Sequence, residues 1–209
     1  MHPDDHRAQD RPLPLSQRLA QIADEEGPER LTFSGLAMQL RSRAWGGLLA
    51  IFAAINAIPL PPGVNIFFAI PLMIVSAQMA FGRATPWFPS RIDRRGVSKE
   101  ELRRLTAKIQ WIEMRVERLF KPRLATLTGP TATRLIGVLC FLLSFLTMLP
   151  IVHVGPAAVI LLFGLALIYR DGALVIAAAV AAVAGAIVAG FLIASGAVAV
   201  SYVARRLGS

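Results

Sequence analysis

Two stretches decide the fold: RAWGGLLAIFAAINAIP at residues 43–59 and RLIGVLCFLLSFLTMLP at residues 134–150. Each begins with an arginine, has a glycine three residues later and ends on a proline sixteen residues later, so the pattern repeats with an offset of 91. A short Pro- and Gly-bearing turn, a second apolar run and a basic residue, Arg83 or Arg170, follow each stretch. The spacing predicts a duplicated, Pro-broken helical hairpin at residues 43–83 and 134–170, with the two ends of each hairpin on the same side.

The composition excludes an ordinary water-soluble enzyme. Of the 209 residues, 55% are hydrophobic and 17% are charged, and the mean hydropathy is +0.58, whereas soluble domains carry about 25% charged residues. The uncharged runs at 44–58, 64–82, 135–149, 151–169 and 173–204 favour an all-α integral membrane protein over a β-barrel, which would show short alternating segments. The runs 44–58 and 135–149 rise only about 22 Å as helices, less than a bilayer core of about 30 Å. They either cross with the help of flanking residues or re-enter on one side.

The net charge of +9 points to lipid as the partner. Lysine and arginine concentrate in residues 1–43 and 83–134, whereas the turns at 59–63 and 150–156 carry none. Because basic segments stay on the cytoplasmic side and bind anionic headgroups, we expect a multi-pass protein of the bacterial inner membrane with a cytoplasmic N-terminus. Nucleic acid is disfavoured because no stacking aromatics interleave the basic residues.

The segments around the hairpins are amphipathic or polar. Residues 1–14 have no apolar period and are interpreted as a disordered tail, and residues 15–209 as a single membrane domain. Residues 15–42 predict short helices at the membrane surface. Ser98 and Glu101 form a capping-box pattern before an amphipathic helix at 98–120, which we expect in the cytoplasmic interface, with a coiled-coil seam as the alternative.

The last run, 173–204, would extend about 48 Å as one helix. It is therefore either one strongly tilted helix or a third hairpin that turns near Gly185. Arg205 and Arg206 follow the run, and because such charges stay on the cytoplasmic side they favour the hairpin. Small residues recur every four positions in this Ala/Gly/Val-rich segment. Because such faces allow close helix packing, the candidate packing or homodimer positions are Ala181, Gly185, Ala189 and Gly190.

Catalytic and cofactor patterns are not found in the sequence. Cys140 is the single cysteine, and no phosphate loop, zinc motif or nucleophile turn is present, so we expect no metal and no cofactor. His153 has no carboxylate near it in sequence and is interpreted as an interfacial turn residue. The polar residues Asn56, Asn65, Ser76, Gln78, Ser144 and Thr147 either line a path or join helices by hydrogen bonds.

The order of several short elements resembles the ExoD family of exopolysaccharide-synthesis proteins over roughly residues 15–200. The elements are Arg43 with Gly46, Asn56 to Pro59, Pro61 to Gly63, Gln78, Arg83, Pro86 with Trp87, Pro122 with Arg123, Leu149 with Pro150, and Arg170 to Gly172. Family members often carry Pro or Asn where this chain has Ile151 to Val154. The resemblance implies an inner-membrane protein connected with exopolysaccharide production and, in rhizobial relatives, with nodule invasion and tolerance of alkali. It supplies no reaction.

These observations lead to three functional hypotheses. The first is a non-enzymatic membrane protein that supports exopolysaccharide synthesis, acts as a homodimer and contacts the exopolysaccharide machinery. The second is a small ion-coupled transporter that uses the Pro-broken hairpins. The third, a glycan-modifying enzyme with Asp93, Glu113 or Glu117 as base, is disfavoured because Glu113 and Glu117 lie four apart on an exposed helix face. The ligand- or ion-path candidates are Arg43, Asn56, Pro62, Gly63, Gln78, Arg83, Arg123, Arg170 and Asp171.

Overall fold

A computed structural model describes residues 14–25, 27–58, 61, 63–116, 124–149 and 153–207. Nine α-helices account for most of the described chain. They are α1 (Leu15–Asp24), α2 (Phe33–Leu40), α3 (Ser42–Asn56), α4 (Val64–Ala80), α5 (Ser90–Asp93), α6 (Lys99–Val116), α7 (Pro130–Thr147), α8 (Val154–Tyr169) and α9 (Gly172–Leu207). A 3₁₀ turn spans Ala125–Thr128, and two short strands, β1 (Arg30–Leu31) and β2 (Val97–Ser98), pair antiparallel. The all-helical class expected from the sequence is confirmed.

The predicted hairpins are the helix pairs α3–α4 and α7–α8, and they interlock. Helix α3 packs most extensively against α8, and α4 against α7, so each helix has its largest interface in the other hairpin. Residues from all four helices, such as Leu49, Leu72, Cys140 and Phe163, form one fully buried core. The sequence duplication itself stays a prediction based on spacing.

Two close backbone contacts hold the interlocked helices. A β-carbon on Gly46 would lie 2.6 Å from the Gly164 carbonyl oxygen, and one on Gly137 would lie 2.5 Å from the Ala80 nitrogen. Only glycine fits at such approaches, since any side chain would push the helices apart. Both contacts join the beginning of one helix to the end of another, so both hairpins have their open ends at one end of the bundle. We call this the arginine end and the opposite end the turn end.

The amphipathic segments pack on each other at the arginine end. Leu19 and Ile22 of α1 are buried against Leu102 of α6, with Ile109 packed against the same cluster. Other apolar side chains of α6 stay exposed, including Leu105, Trp111 and Met114. The expected capping box is confirmed: Ser98 N–H donates to Glu101 Oε2 at 2.9 Å, and Glu101 N–H donates to Ser98 Oγ at 3.1 Å. One side of α6 is thus covered by protein, which the interfacial interpretation alone did not anticipate.

Helix α9 settles the form of the last run. It is one continuous α-helix of 36 residues, so the hairpin turning near Gly185, which the end charges favoured, is wrong. The physical reason is that a single glycine costs a helix only about 1 kcal/mol, and no proline interrupts the segment.

One described helix, α7, is long and apolar enough to cross a membrane. Helices α4 and α8 and the first half of α9 are apolar but shorter. The outward faces of α4, α7 and α9 carry large apolar side chains, among them Phe67, Leu142, Phe145 and Val183.

Candidate functional site: an arginine pocket

A pocket opens at the arginine end, where α1 and α2 meet the beginning of α3 and the end of α8. Its volume is about 390 Å³, at the small end of the range for ligand sites. It is lined by Arg18, Gln39, Leu40, Arg41, Ser42, Arg43 and Arg170. We call it the arginine pocket. Two predicted candidates, Arg43 and Arg170, come together in it although they are far apart in sequence.

Four of the lining side chains are guanidinium groups, and none of the described lining residues is acidic. Arginine is always protonated, so the pocket is strongly positive at physiological pH. Asp171 directly follows the lining residue Arg170 and is buried. Its Oδ1 accepts the N–H of Ala173 at 2.9 Å in the first turn of α9. Asp171 therefore stabilises the start of α9 as a helix cap.

The backbone is strained at two of the arginines. Arg41, between α2 and α3, has φ 52° and ψ −124°, and Arg170, after α8, has φ 54° and ψ 38°. The only other described non-glycine residue with positive φ is Leu124. Such conformations favour glycine, and they concentrate at functional sites when larger residues adopt them.

Two buried polar atoms of the pocket have no hydrogen-bond partner among the described residues. They are Arg170 Nε, a donor, and Gln39 Oε1, an acceptor. A buried polar atom without a partner costs folding free energy, so a ligand oxygen would stabilise Arg170 Nε, whereas Gln39 Oε1 requires a donor such as a water.

Other predicted candidates lie elsewhere at the arginine end. Gln78 accepts the Trp87 N–H at 2.6 Å and donates to the Trp87 carbonyl at 3.5 Å, so its amide holds the loop after α4. Arg83 is exposed. The guanidinium of Arg134 lies directly over Gly82, near the last carbonyls of α4, where a cation interacts favourably with the helix dipole.

Buried polar residues gather at the turn end. Asn56, Asn65, Ser144, Thr147 and His153 are all buried where the helices of the two hairpins begin or end. Asn65 Nδ2 donates to the Thr147 carbonyl at 2.8 Å, which joins α4 to α7. Interhelical bonding, one of the two uses predicted for these polar groups, is confirmed for Asn65.

Four other buried polar side chains bond within their own helices. Asn56 donates to the Phe52 carbonyl at 3.0 Å, and Ser76, Ser144 and Thr147 bond carbonyls three or four residues back. The Oδ1 atoms of Asn56 and Asn65 are buried without a described partner. Gly63 adopts φ 93° directly before α4, as a turn requires. Pro62 and Arg123 lie outside the described residues.

The remaining sequence candidates do not converge. Asp93 Oδ1 accepts the Ser34 N–H at 2.8 Å, which joins α5 to α2. Glu117 lies outside the described residues. In the part of the chain that the structure describes, no group of three His, Cys, Asp or Glu side chains could hold a metal. Gly185 and Gly190, two of the predicted packing positions, face open space within the protomer, and Ala181 is half-buried.

Sequence reasoning missed Arg18, Gln39 and Arg41 as pocket residues. Arg18 lies on a helix whose apolar face alone was analysed, and Arg41 lies in the link between two helices. The available signal was weak: Arg41, Ser42 and Arg43 form a short basic cluster immediately before an apolar run.

Comparison with known proteins agrees with the resemblance. Residues 15–191 match the family described as "Exopolysaccharide synthesis, ExoD". The chain is 30% identical over 152 residues to Protein ExoD of Rhizobium meliloti (strain 1021), an alignment that covers 69% of this chain and 63% of that protein. The chain thus spans less than two thirds of the relative's length. No solved structure matches the chain. The family match over most of its length places this chain in the ExoD family.

Proposed function

We propose that this chain is a multi-pass protein of the bacterial cytoplasmic membrane that supports exopolysaccharide synthesis without catalysing a reaction. The family description and the name of the rhizobial relative supply the process. The observation that carries the membrane part is the apolar exterior of the interlocked helices. Phe67 is 76% exposed and Ile51 59% exposed on faces that water would solvate poorly.

The charge distribution supports one orientation. The arginines that flank the hairpins lie at one end of the bundle, and the turn end has Pro61 and Gly155 exposed. Placing the arginine end against the inner leaflet puts the N-terminus in the cytoplasm. The exposed side of α6, with Trp111, would then lie among the headgroups.

A second candidate function is an ion-coupled transporter. The observation that favours it is the pair of buried amide oxygens, Asn56 Oδ1 and Asn65 Oδ1, which have no described partner at the turn end. Carbonyl-type oxygens of this kind coordinate small cations in broken-helix transporters.

Labelling with a membrane-impermeant maleimide tests the topology. Cys140 is buried, so a Cys140→Ala background carries single cysteines at chosen sites. Gly155→Cys adds a thiol at the turn end, where nothing lies within 4 Å, and Ser90→Cys adds an exposed thiol at the arginine end. We expect labelling from outside the cell at position 155 and none at position 90 until the membrane is permeabilised. The reverse pattern would contradict the proposed orientation.

A complementation experiment tests the function. In a strain that lacks this gene, the parent chain should restore exopolysaccharide yield, and purified protein in vesicles should move no cation. Restored yield together with an Asn56- and Asn65-dependent cation flux would replace the supporting role with the transporter.

A further inference from the structure

The arginine pocket carries an inference beyond a supporting role in exopolysaccharide synthesis. We infer that it binds a phosphate group with two negative charges, the chemistry that inorganic phosphate and lipid phosphate monoesters share. Four independent features of the pocket lead to this ligand.

The first feature is charge and shape. Arg18, Arg41, Arg43 and Arg170 surround one small cavity, and the neighbouring Asp171 is engaged with the start of α9. The planar guanidinium fork pairs bidentately with phosphate oxygens and retains its charge at every physiological pH. A dianion neutralises more of this positive charge than a carboxylate does.

The second feature is the beginning of α3. Ser42 is both a lining residue and the first residue of this helix of 15 residues. No side chain caps this terminus. The first-turn N–H groups and the positive end of this helix dipole attract an anion, whereas the carbonyl ends of α2 and α8, which also border the pocket, oppose it, so the guanidinium groups supply the net attraction.

The third feature is the buried Arg170 Nε, which has no acceptor among the described residues. A guanidinium N–H that is withdrawn from water requires an acceptor oxygen. Arg170 lines the pocket, so a phosphate oxygen would supply this acceptor once the side chain turns the N–H towards the cavity. This argument depends on hydrogen bonding and is independent of the net charge.

The fourth feature is strain. Arg41 and Arg170 hold positive φ values that glycine would adopt without cost. Helix-capping bonds accompany both conformations, from Arg41 N–H to the Ala37 carbonyl and from Arg170 N–H to the Ala166 carbonyl. Glycine would make the same bonds, so arginine at these positions indicates a role for the side chain. A shared anion is the interaction that both side chains can reach from the pocket lining.

Binding is measured on the full chain in two arms. In the first arm, the protein in neutral detergent is titrated with inorganic phosphate by calorimetry, with acetate as the control anion. In the second arm, the protein in phosphatidylcholine nanodiscs with phosphatidic acid, a monoester, is compared by native mass spectrometry with nanodiscs that contain phosphatidylglycerol, a diester. The first arm is independent of the proposed membrane location, and the second rests on it.

The variants are Arg18→Gln and Arg41→Gly, with Arg91→Gln as the matched control. Arg91 is an exposed arginine of α5 that does not line the pocket. Loss of one charge-assisted contact should weaken binding about tenfold or more, whereas the control should stay within about twofold of the parent. Protection of the buried Cys140 thiol from a fluorogenic maleimide verifies that each variant is folded.

Saturable phosphate binding that falls in both pocket variants supports the inference. Binding of phosphatidic acid alone assigns the phosphate to a lipid, and binding in the first arm alone assigns it to a free anion. Equal binding of acetate and phosphate, equal retention of the two anionic lipids, unchanged binding in the pocket variants, or no binding in either arm would overturn it.

Discussion

Gly46 of α3 and Gly164 of α8 touch backbone to backbone: a β-carbon on Gly46 would lie 2.6 Å from the Gly164 carbonyl oxygen, and one on Gly164 would lie 2.9 Å from the Gly46 carbonyl oxygen. This reciprocal contact joins the first helix of one hairpin to the second helix of the other. It keeps α3 and α8 close immediately inside the arginine pocket, which takes Arg43 from α3 and Arg170 from the end of α8.

The contact predicts opposite effects at adjacent glycines. Gly46→Ala should lower the free energy of unfolding by about 1–3 kcal/mol because the added methyl overpacks the crossing. Gly47→Ala, where nothing lies within 4 Å, should raise it by up to about 1 kcal/mol because alanine favours the helix. Denaturant unfolding in detergent, followed by exposure of the Cys140 thiol, measures both. Equal effects of the two changes would contradict the close crossing.

The interhelical bond from Asn65 to the Thr147 carbonyl should contribute more than the local bond of Asn56. We expect Asn65→Ala to cost about 1–3 kcal/mol, because it removes a buried contact between the hairpins and leaves the carbonyl without that donor. Asn56→Ala should cost less, since Asn56 bonds only to Phe52 in its own helix. The same unfolding measurement compares them, and a larger loss at Asn56 would show that the hairpins do not depend on this bond.

The capping box at the start of α6 should depend on pH. Hydrogen bonds from the backbone and side chain of Ser98 lower the pKa of Glu101 below its ordinary value. A lowered folded-state pKa stabilises the fold above the ordinary carboxyl pKa of about 4.3, and this contribution disappears as the pH falls through the lowered value.

Glu101→Ala should therefore reduce stability at pH 7, because it removes the carboxylate that accepts both Ser98 bonds, and should flatten the acid dependence of the melting temperature below about pH 5. Thr106→Ala, later in the same helix, provides a control that leaves the capping box intact. An acid dependence in Glu101→Ala identical to that of the parent would rule out this coupling.

Arg41→Gly should make the protein more stable although it weakens phosphate binding at the arginine pocket. Arg41→Gly removes an unfavourable positive-φ conformation and should raise the free energy of unfolding by about 1 kcal/mol. Ala54→Gly, at an exposed position inside α3, should lower it by a similar amount because glycine disfavours a helix interior. Thermal unfolding in detergent measures both, and destabilisation by Arg41→Gly would mean that its side chain stabilises the ligand-free fold.

A homodimer through α9 should place Gly185 near its counterpart in a second copy. In a Cys140→Ala background, Gly185→Cys should form a disulfide-linked dimer in membranes after mild oxidation, because this position faces open space in the protomer. Ala178→Cys is the control, since Ala178 is fully buried inside its own chain. Monomers at both positions would leave the dimer without support.

The residues of the candidate site that could be predicted are those whose place follows from their neighbours in the sequence. Arg43 and Arg170 were identifiable because each borders an apolar run, and Asp171 with Gly172 because they mark a helix boundary. Arg18 and Gln39 were not identifiable, since periodicity shows which face of a helix is apolar but not which distant element covers the other face.

The helical class, the positions of the hairpins, the capping box at Ser98 and the separation of charge from apolar runs could all be predicted from the residues alone. These features depend on residues a few positions apart, through backbone hydrogen bonds, prolines and side-chain periodicity. The folded chain was needed to show that the hairpins interlock, that α9 continues past Gly185 and that four arginines share one pocket. Those outcomes depend on packing between segments far apart in the chain, where a backbone contact such as Gly46 with Gly164 selects one arrangement of helices over others with the same local pattern.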